Sequence, residues 1–268
     1  MSTKDALGDR MKEFYENRSK TYLTRRTPVI IRLDGKAFHS FTKGFKRPYD
    51  EIFHEAMNET LRYLCKNIQG CKIGYTQSDE ITLLLTDYEK LTTDAWFGYS
   101  VQKMCSIAAS MATLAFNKYF YCALQDATAM NEYFDADPYR ECVDGELGGP
   151  KQAMFDARVF NIPKEEVANC FIWRQQDATR NAIQMLGQTH FSHKELDCKD
   201  QNDIQDMLML EKGINFNDMS VPFKRGVCCY RKDCSDVIIE GPNQKQWVID
   251  LNIPIFTQDR EFIEKWIG

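Results

Sequence analysis

A chain of 268 residues exceeds one typical domain and falls short of two, so one core with a sizeable additional segment is expected. Hydrophobic residues at 43% and charged residues at 27% exclude a disordered or fibrous protein, and no apolar run approaches the ~18 residues of a membrane span. The formal net charge of -5 excludes a protein coated in basic charge, although nucleic acid needs only a local positive surface.

The N-terminal MSTKDALGDR lacks the apolar centre of a secretion signal, so a cytoplasmic location is expected. Residues 10–26 carry Arg10, Lys12, Arg18, Lys20, Arg25 and Arg26 against Glu13 and Glu16, which suits either an RNA-facing surface or a solvated helix face. Residues 28–33, PVIIRL, form a short β-rich run that ends in Asp34-Gly35 and predicts a buried strand. From 49 to 68 apolar residues recur at helical spacing (Ile52, Phe53, Ala56, Met57, Thr60, Leu61, Leu64), with Asp50 and Glu51 at the positive end of the helix dipole. Residues 71–76 and 81–85 predict two strands joined by a tight hairpin through Gln77-Ser78-Asp79-Glu80.

A second long helix is expected over 97–120, rich in Ala, Met and Ser. Residues 123–150, with Asp126, Glu132, Asp135, Asp137 and Gly148-Gly149, lack strong periodicity and read as a surface insertion. Residues 155–162, FDARVFNI, alternate as a fourth strand. Pro163 followed by Lys164, Glu165 and Glu166 then opens a helix running towards Leu186. Strand, helix, two hairpin strands, helix and strand is the split-βαβ order: an α+β, ferredoxin-like antiparallel sheet with helices on one face, spanning residues 1–190. Past Gly213, β-like runs over 226–230 and 246–251 make residues 191–268 a β-containing appendage packed on this domain.

Ten cysteines, several inside apolar patterns (Cys65, Cys105, Cys170), read as reduced thiols. Cys228, Cys229 and Cys234 cluster, but neighbours on a strand point to opposite faces and begin a tetrahedral zinc site poorly.

The topology sets the end of the first strand beside the central hairpin, so Asp34 and Asp79 are expected to be neighbours. Taken singly, each is a turn residue; taken together, they repel unless a cation intervenes, and hard oxygen ligands beside phosphate suit Mg²⁺. Gly35 lets the backbone approach a ligand, and the main-chain N–H groups of Lys36, Ala37, Phe38 and His39 are candidates to face a triphosphate. Lys103 reads either as a phosphate contact or as an exposed lysine, and His39 as a base-stacking or a structural residue.

RLDGKAFHSFT (32–42), GYTQSDEITLLL (74–85), WRQQD (173–177) and GINFNDMSVPFKRG (213–226) together resemble the tRNA-histidine guanylyltransferase family, from about residue 10 to the end. The resemblance implies a polymerase-type palm that adds nucleotides to the 5′ end of RNA, after activating that end with ATP or GTP. It implies two Mg²⁺ ions held by Asp34, the Gly35 carbonyl and Asp79 with Glu80 beside them, triphosphate contacts from Ser78 and Lys103, and Arg47 and Asp50 near the activating nucleotide. A homotetramer is implied as well. After WRQQD this chain reads ATRNAIQML (178–186) where dedicated tRNA-histidine enzymes carry a His-Ile-Asn-Asn-like motif, of which Asn181 survives. That departure favours the guanylyltransferase-like branch, whose members repair 5′-truncated tRNA by templated addition, with untemplated guanine addition as the alternative. Arg25, Arg26, Asn181, Lys224 and Arg225 are the candidate tRNA contacts. A nucleotide cyclase on the same sheet, or a non-catalytic RNA-binding protein, are the readings from other classes.

Overall fold

The computed structural model describes residues 5–131, 134–143, 151–233 and 245–268. In chain order its elements are α1 (Ala6–Phe14), β1 (Val29–Gly35), α2 (Phe38–Phe41), α3 (Glu51–Asn67), β2 (Cys71–Gln77), β3 (Glu80–Leu85), α4 (Val101–Met130), α5 (Arg140–Val143) and β4 (Phe155–Asn161). There follow α6 (Lys164–His190), α7 (His193–Leu196), α8 (Gln201–Lys212), α9 (Val221–Arg225), β5 (Val227–Asp233), β6 (Lys245–Asp250) and α10 (Glu261–Glu264). The strands form one antiparallel sheet in the order β4-β1-β3-β2-β5-β6.

The first four strands reproduce the split-βαβ order read from the sequence, with α3 and α4 on one face. There the alternating residues Val29, Ile31 and Leu33 of β1 and Ile81, Leu83 and Leu85 of β3 meet Ala56, Met57, Leu61 and Leu64 of α3. The expectation of helices on one face only is corrected. Ile30, Ile73, Tyr75 and Leu84 point the other way, into a second core closed by α6 and by Ile253, Phe256, Ile263 and Ile267 near the C-terminus. The physical reason was present in PVIIRL: a strand apolar at consecutive positions has two faces to bury.

Two further differences bear on the site. The expected appendage begins inside the sheet, because β5 pairs with β2 from Val227 to Tyr230 and carries β6 on its outer edge. Cys228 and Cys229 accordingly enter opposite cores, while Cys234 lies outside the described residues. The expected insertion is in part an extension of α4, which continues to Met130 with Ala123 and Leu124 buried. Beyond it, Tyr139 is buried and its hydroxyl donates to Asp50 Oδ2 at 2.7 Å; Glu132 and Gly148-Gly149 lie outside the described residues.

Candidate active site

At the C-terminal end of β1, Asp34 stands opposite Glu80 in β3 and Asp156 in β4. The β2–β3 hairpin turns through Ser78 and Asp79, and the Gly35 amide donates to the Asp79 carbonyl at 3.2 Å, which ties the two aspartates' backbones together. Ser78 occupies the left-handed region (φ 51°), a conformation uncommon for a residue with a side chain, and its hydroxyl donates to Asp79 Oδ1 at 3.1 Å. Burial pushes the Asp79 carboxyl up to about 6, and the nearby Asp34 charge adds to the rise. A buried carboxylate whose charge is disfavoured, with a second acid beside it, forms a site primed for a cation.

Asp79 opens onto a cleft of about 380 Å³, whose lining includes Phe38, His39, Arg47, Asp50 and Ser78, with Asn181, Ala182, Met185 and Gln188 of α6 opposite. The structure thus gathers seven of the sequence-derived candidates, Asp79 included, around one cavity. Ala37 (φ 54°) turns the chain into α2, and among the described residues the amides of Ala37, Phe38 and His39 have no backbone acceptor. They are free donors beside the carboxylates, whereas the Lys36 amide is taken by the Met154 carbonyl at 2.8 Å. Phe38 contributes only backbone: its ring is buried against Phe41, Phe53, Phe116 and Phe155. That ring also gives Gly35 its reason, since a Cβ at this position would collide with it.

Several candidates have duties within the protein. Asp50 is 5% exposed and caps α3 by accepting from the Phe53 amide at 2.9 Å; it also accepts from the Lys46 amide at 3.0 Å and from Tyr139. It fixes the loop that presents Arg47. Glu80 sits beside the aspartates, but its carboxylate is held by Arg174 at 2.7 Å and Arg32 at 3.4 Å. Among the described residues the Asp34 carboxylate meets only Arg158, loosely, at 3.8 Å. Arg158, exposed on β4 between Asp34 and Asp156, belongs to this corner although no motif in the sequence singled it out; its register opposite β1 was the available signal.

Other candidates lie apart. Thr113 and Asn117 of α4 bond to Phe155 and Ala153, at the Gly35 end of β4, whereas Lys103 starts the helix 113 − 103 = 10 residues earlier, about 15 Å away along its axis. Its ammonium lies 6.0 Å from the Phe97 ring centroid. Arg25 is bound to the buried Asp87 at 2.6 Å and to the Thr93 carbonyl, and the Arg26 amide donates to the same Asp87. Lys224 and Arg225 line a different cavity of about 550 Å³ behind α6, together with Arg180 and several amide side chains. That cavity is the larger, but among the described residues no carboxylate lines it to hold a metal beside phosphate.

The sequence model of the tRNAHis guanylyltransferase family matches residues 8–163, which takes in both aspartates, the hairpin and α2. This chain belongs to the tRNAHis guanylyltransferase family. It is therefore a nucleotidyltransferase. Among the family's solved structures, a bacterial tRNA(His) guanylyltransferase-like protein in complex with ATP is 41% identical, covers 98% of this chain and 99% of its own, and superimposes with a TM-score of 0.82. A bacterial guanylyltransferase-like protein in complex with GTP is 39% identical with a TM-score of 0.76, over the same shares. Protein R259 of Acanthamoeba polyphaga mimivirus, itself uncharacterized, is 31% identical over 94% of this chain and 85% of its own length. The tRNA(His) guanylyltransferase of Debaryomyces hansenii is 25% identical over 80% and 77%.

Proposed function

We propose that this guanylyltransferase-family enzyme adds nucleotides to the 5′ end of tRNA in the 3′-to-5′ direction, copying the opposite strand and so repairing 5′-truncated tRNA. The observation that carries the reading is the tie of the Asp34-Gly35 strand end to Asp79, whose carboxylate opens onto a cleft that also takes in Phe38 and His39 at the start of α2. Relatives in complex with ATP and with GTP support nucleotides as substrates.

The donor set fits Mg²⁺. Asp34 and Asp79 are hard oxygen ligands, and among the described residues no third His, Cys, Asp or Glu joins them in a metal-binding group. The Gly35 carbonyl would join them in holding the ion, with phosphate oxygens and water as the further oxygen donors Mg²⁺ prefers. Two ions bound there supply activation of the attacking hydroxyl and neutralise charge on the departing phosphate. The protein's own contribution is placement: the amides of Ala37, Phe38 and His39 hold phosphate, and Arg47 lies at the cleft for the activating ATP or GTP. Asn181, Ala182, Met185 and Gln188 put no histidine into the cleft, which supports a site that leaves the choice of base to the template strand. Lys224 and Arg225 extend the RNA footprint, a homotetramer is the assembly carried over from the family resemblance, and a cytoplasmic location follows the reading of the N-terminal sequence.

The test offers Mg²⁺, labelled nucleotides and two 5′-triphosphorylated RNAs, a truncated non-histidine tRNA and full-length tRNA-histidine. Extension of the truncated RNA to complement its 3′ strand is the expected result. Guanine added to tRNA-histidine alone selects untemplated addition, and addition to neither overturns the proposal.

A further inference from the structure

Arg174 is 5% exposed, yet no substrate surface includes it. One amino group of its guanidinium lies 2.7 Å from Glu80 Oε2 and 2.7 Å from Asp177 Oδ2, and its plane rests 4.4 Å from the Trp173 ring centroid. Glu80 is the residue this grip acts on. It follows Asp79 in the chain, pairs with Asp34 across β1 and β3, and closes the hairpin opposite Gln77. The next residue on α6, Gln175, is equally buried; it donates to the Pro254 carbonyl at 2.9 Å and accepts from the Phe256 amide at 2.8 Å, anchoring α6 to the C-terminal segment.

We infer that Arg174 is a positioning residue: through Glu80 it sets the separation and direction of Asp34 and Asp79, so that a divalent cation meets both carboxylates at once. This rests on the metal-dependent reading above. Its physical basis is the crowding of negative charge. Glu80, Asp79 and Asp34 occupy one corner, and without the guanidinium Glu80 keeps only Arg32, at 3.4 Å, as a counter-charge. The hairpin tip, already in a left-handed turn at Ser78, then loses the ion pair by which α6 holds it against that repulsion. Arg rather than Lys is suited to the task because its guanidinium lies against the Trp173 ring while one of its amino groups reaches both Glu80 and Asp177.

The test compares Mn²⁺ binding, followed by electron paramagnetic resonance, in the full-length protein and in Arg174→Gln, Arg174→Lys, Glu80→Gln, Arg174→Gln/Glu80→Gln and Asp79→Asn. Circular dichroism and thermal melting establish that each variant is folded, and only folded protein is compared. Arg174→Gln is expected to weaken Mn²⁺ binding about tenfold while the affinity for metal-free nucleotide changes less than twofold. The double variant is expected to be no worse than Arg174→Gln, because the guanidinium acts through Glu80. Arg174→Lys is expected to restore part of the loss. Unchanged Mn²⁺ binding in folded Arg174→Gln, with binding lost in Asp79→Asn, overturns this inference alone. If Asp79→Asn also binds Mn²⁺ as the parent does, the metal-site reading itself falls. Should Arg174→Gln not fold, Arg174→Lys decides: Mn²⁺ binding that stays within twofold of the parent's overturns the inference, and a weakening supports it.

Discussion

Two cavities flank α6, and they differ in chemistry more than in shape. The larger, about 550 Å³, is lined by Arg180, Lys224 and Arg225 with amides and no acid; the smaller, about 380 Å³, holds Asp79 and Arg47 beside the amides of α2. Size alone favours the first. Nucleotidyl transfer, however, needs ligands for a cation next to donors for phosphate, and only the second brings both to one point. The wall between them is shared: α9 presents Pro222 and Phe223 to one side and Lys224 and Arg225 to the other. Catalysis and RNA holding are thereby assigned to opposite sides of the same elements.

The comparison breaks most sharply at Asp79. Asp79→Asn is expected to lower single-turnover nucleotide addition about 10³-fold, equivalent to about 4 kcal/mol of barrier. Its melting temperature is expected to hold or rise, because the substitution removes a carboxylate disfavoured by burial and by Asp34. A variant that loses activity only by unfolding contradicts the assignment.

Behind the cleft the framework is under test. Asp50→Ala strips the cap of α3 and leaves the Phe53 and Lys46 amides and the Tyr139 hydroxyl without their acceptor, an expected loss of about 3 kcal/mol in urea unfolding. A loss below about 1 kcal/mol would show that the loop is held by something else.

His54, stacked on Tyr49 at 3.9 Å, adds a pH dependence. Burial depresses its pKa from 6.5 to about 4, so the unfolded chain takes up the proton first. The stability this neutral ring carries is complete above about pH 6.5 and is lost as the pH falls towards 4, amounting to about 2 kcal/mol at pH 5. Urea unfolding at pH 7 and pH 5 is expected to show the difference in the parent and a smaller one in His54→Gln. Equal slopes in both refute it.

The smallest effects belong to the other cavity. Lys224→Ala or Arg225→Ala is expected to weaken RNA binding a few-fold and to reduce its salt dependence by about one unit of slope, leaving Mn²⁺ binding unchanged. Filter binding across a salt series measures this, and an unaltered slope removes the residue from the RNA footprint.

What the sequence disclosed, and what it concealed, follows the range of the interactions. PVIIRL, the spacing from Ile52 to Leu64 and the Gln77–Glu80 turn are local patterns, and they located β1, α3 and the hairpin to within a residue or two. Topology then placed Asp34 beside Asp79. Glu80 was placed beside the metal ligands, but its ion pair with Arg174 was not legible, because that residue arrives from α6 far along the chain and nothing within the hairpin announces it. Asp50 lines the cleft as the family resemblance implied, but its bond to Tyr139, 89 residues away, was hidden for the same reason. Gly35 was credited to ligand approach, whereas the local cause is the Phe38 ring lying where a side chain would go. The pairing of β5 onto β2 escaped because a short alternating strand carries no record of which edge it joins.

The measurement that reaches the centre of the account is a crystal structure of the protein with Mn²⁺ and GTP, with the metal located by anomalous scattering. Anomalous peaks are expected between Asp34 and Asp79, with phosphate oxygens against the amides of Ala37, Phe38 and His39. A nucleotide seated instead among Arg180, Lys224 and Arg225, or metal bound away from both aspartates, would contradict it.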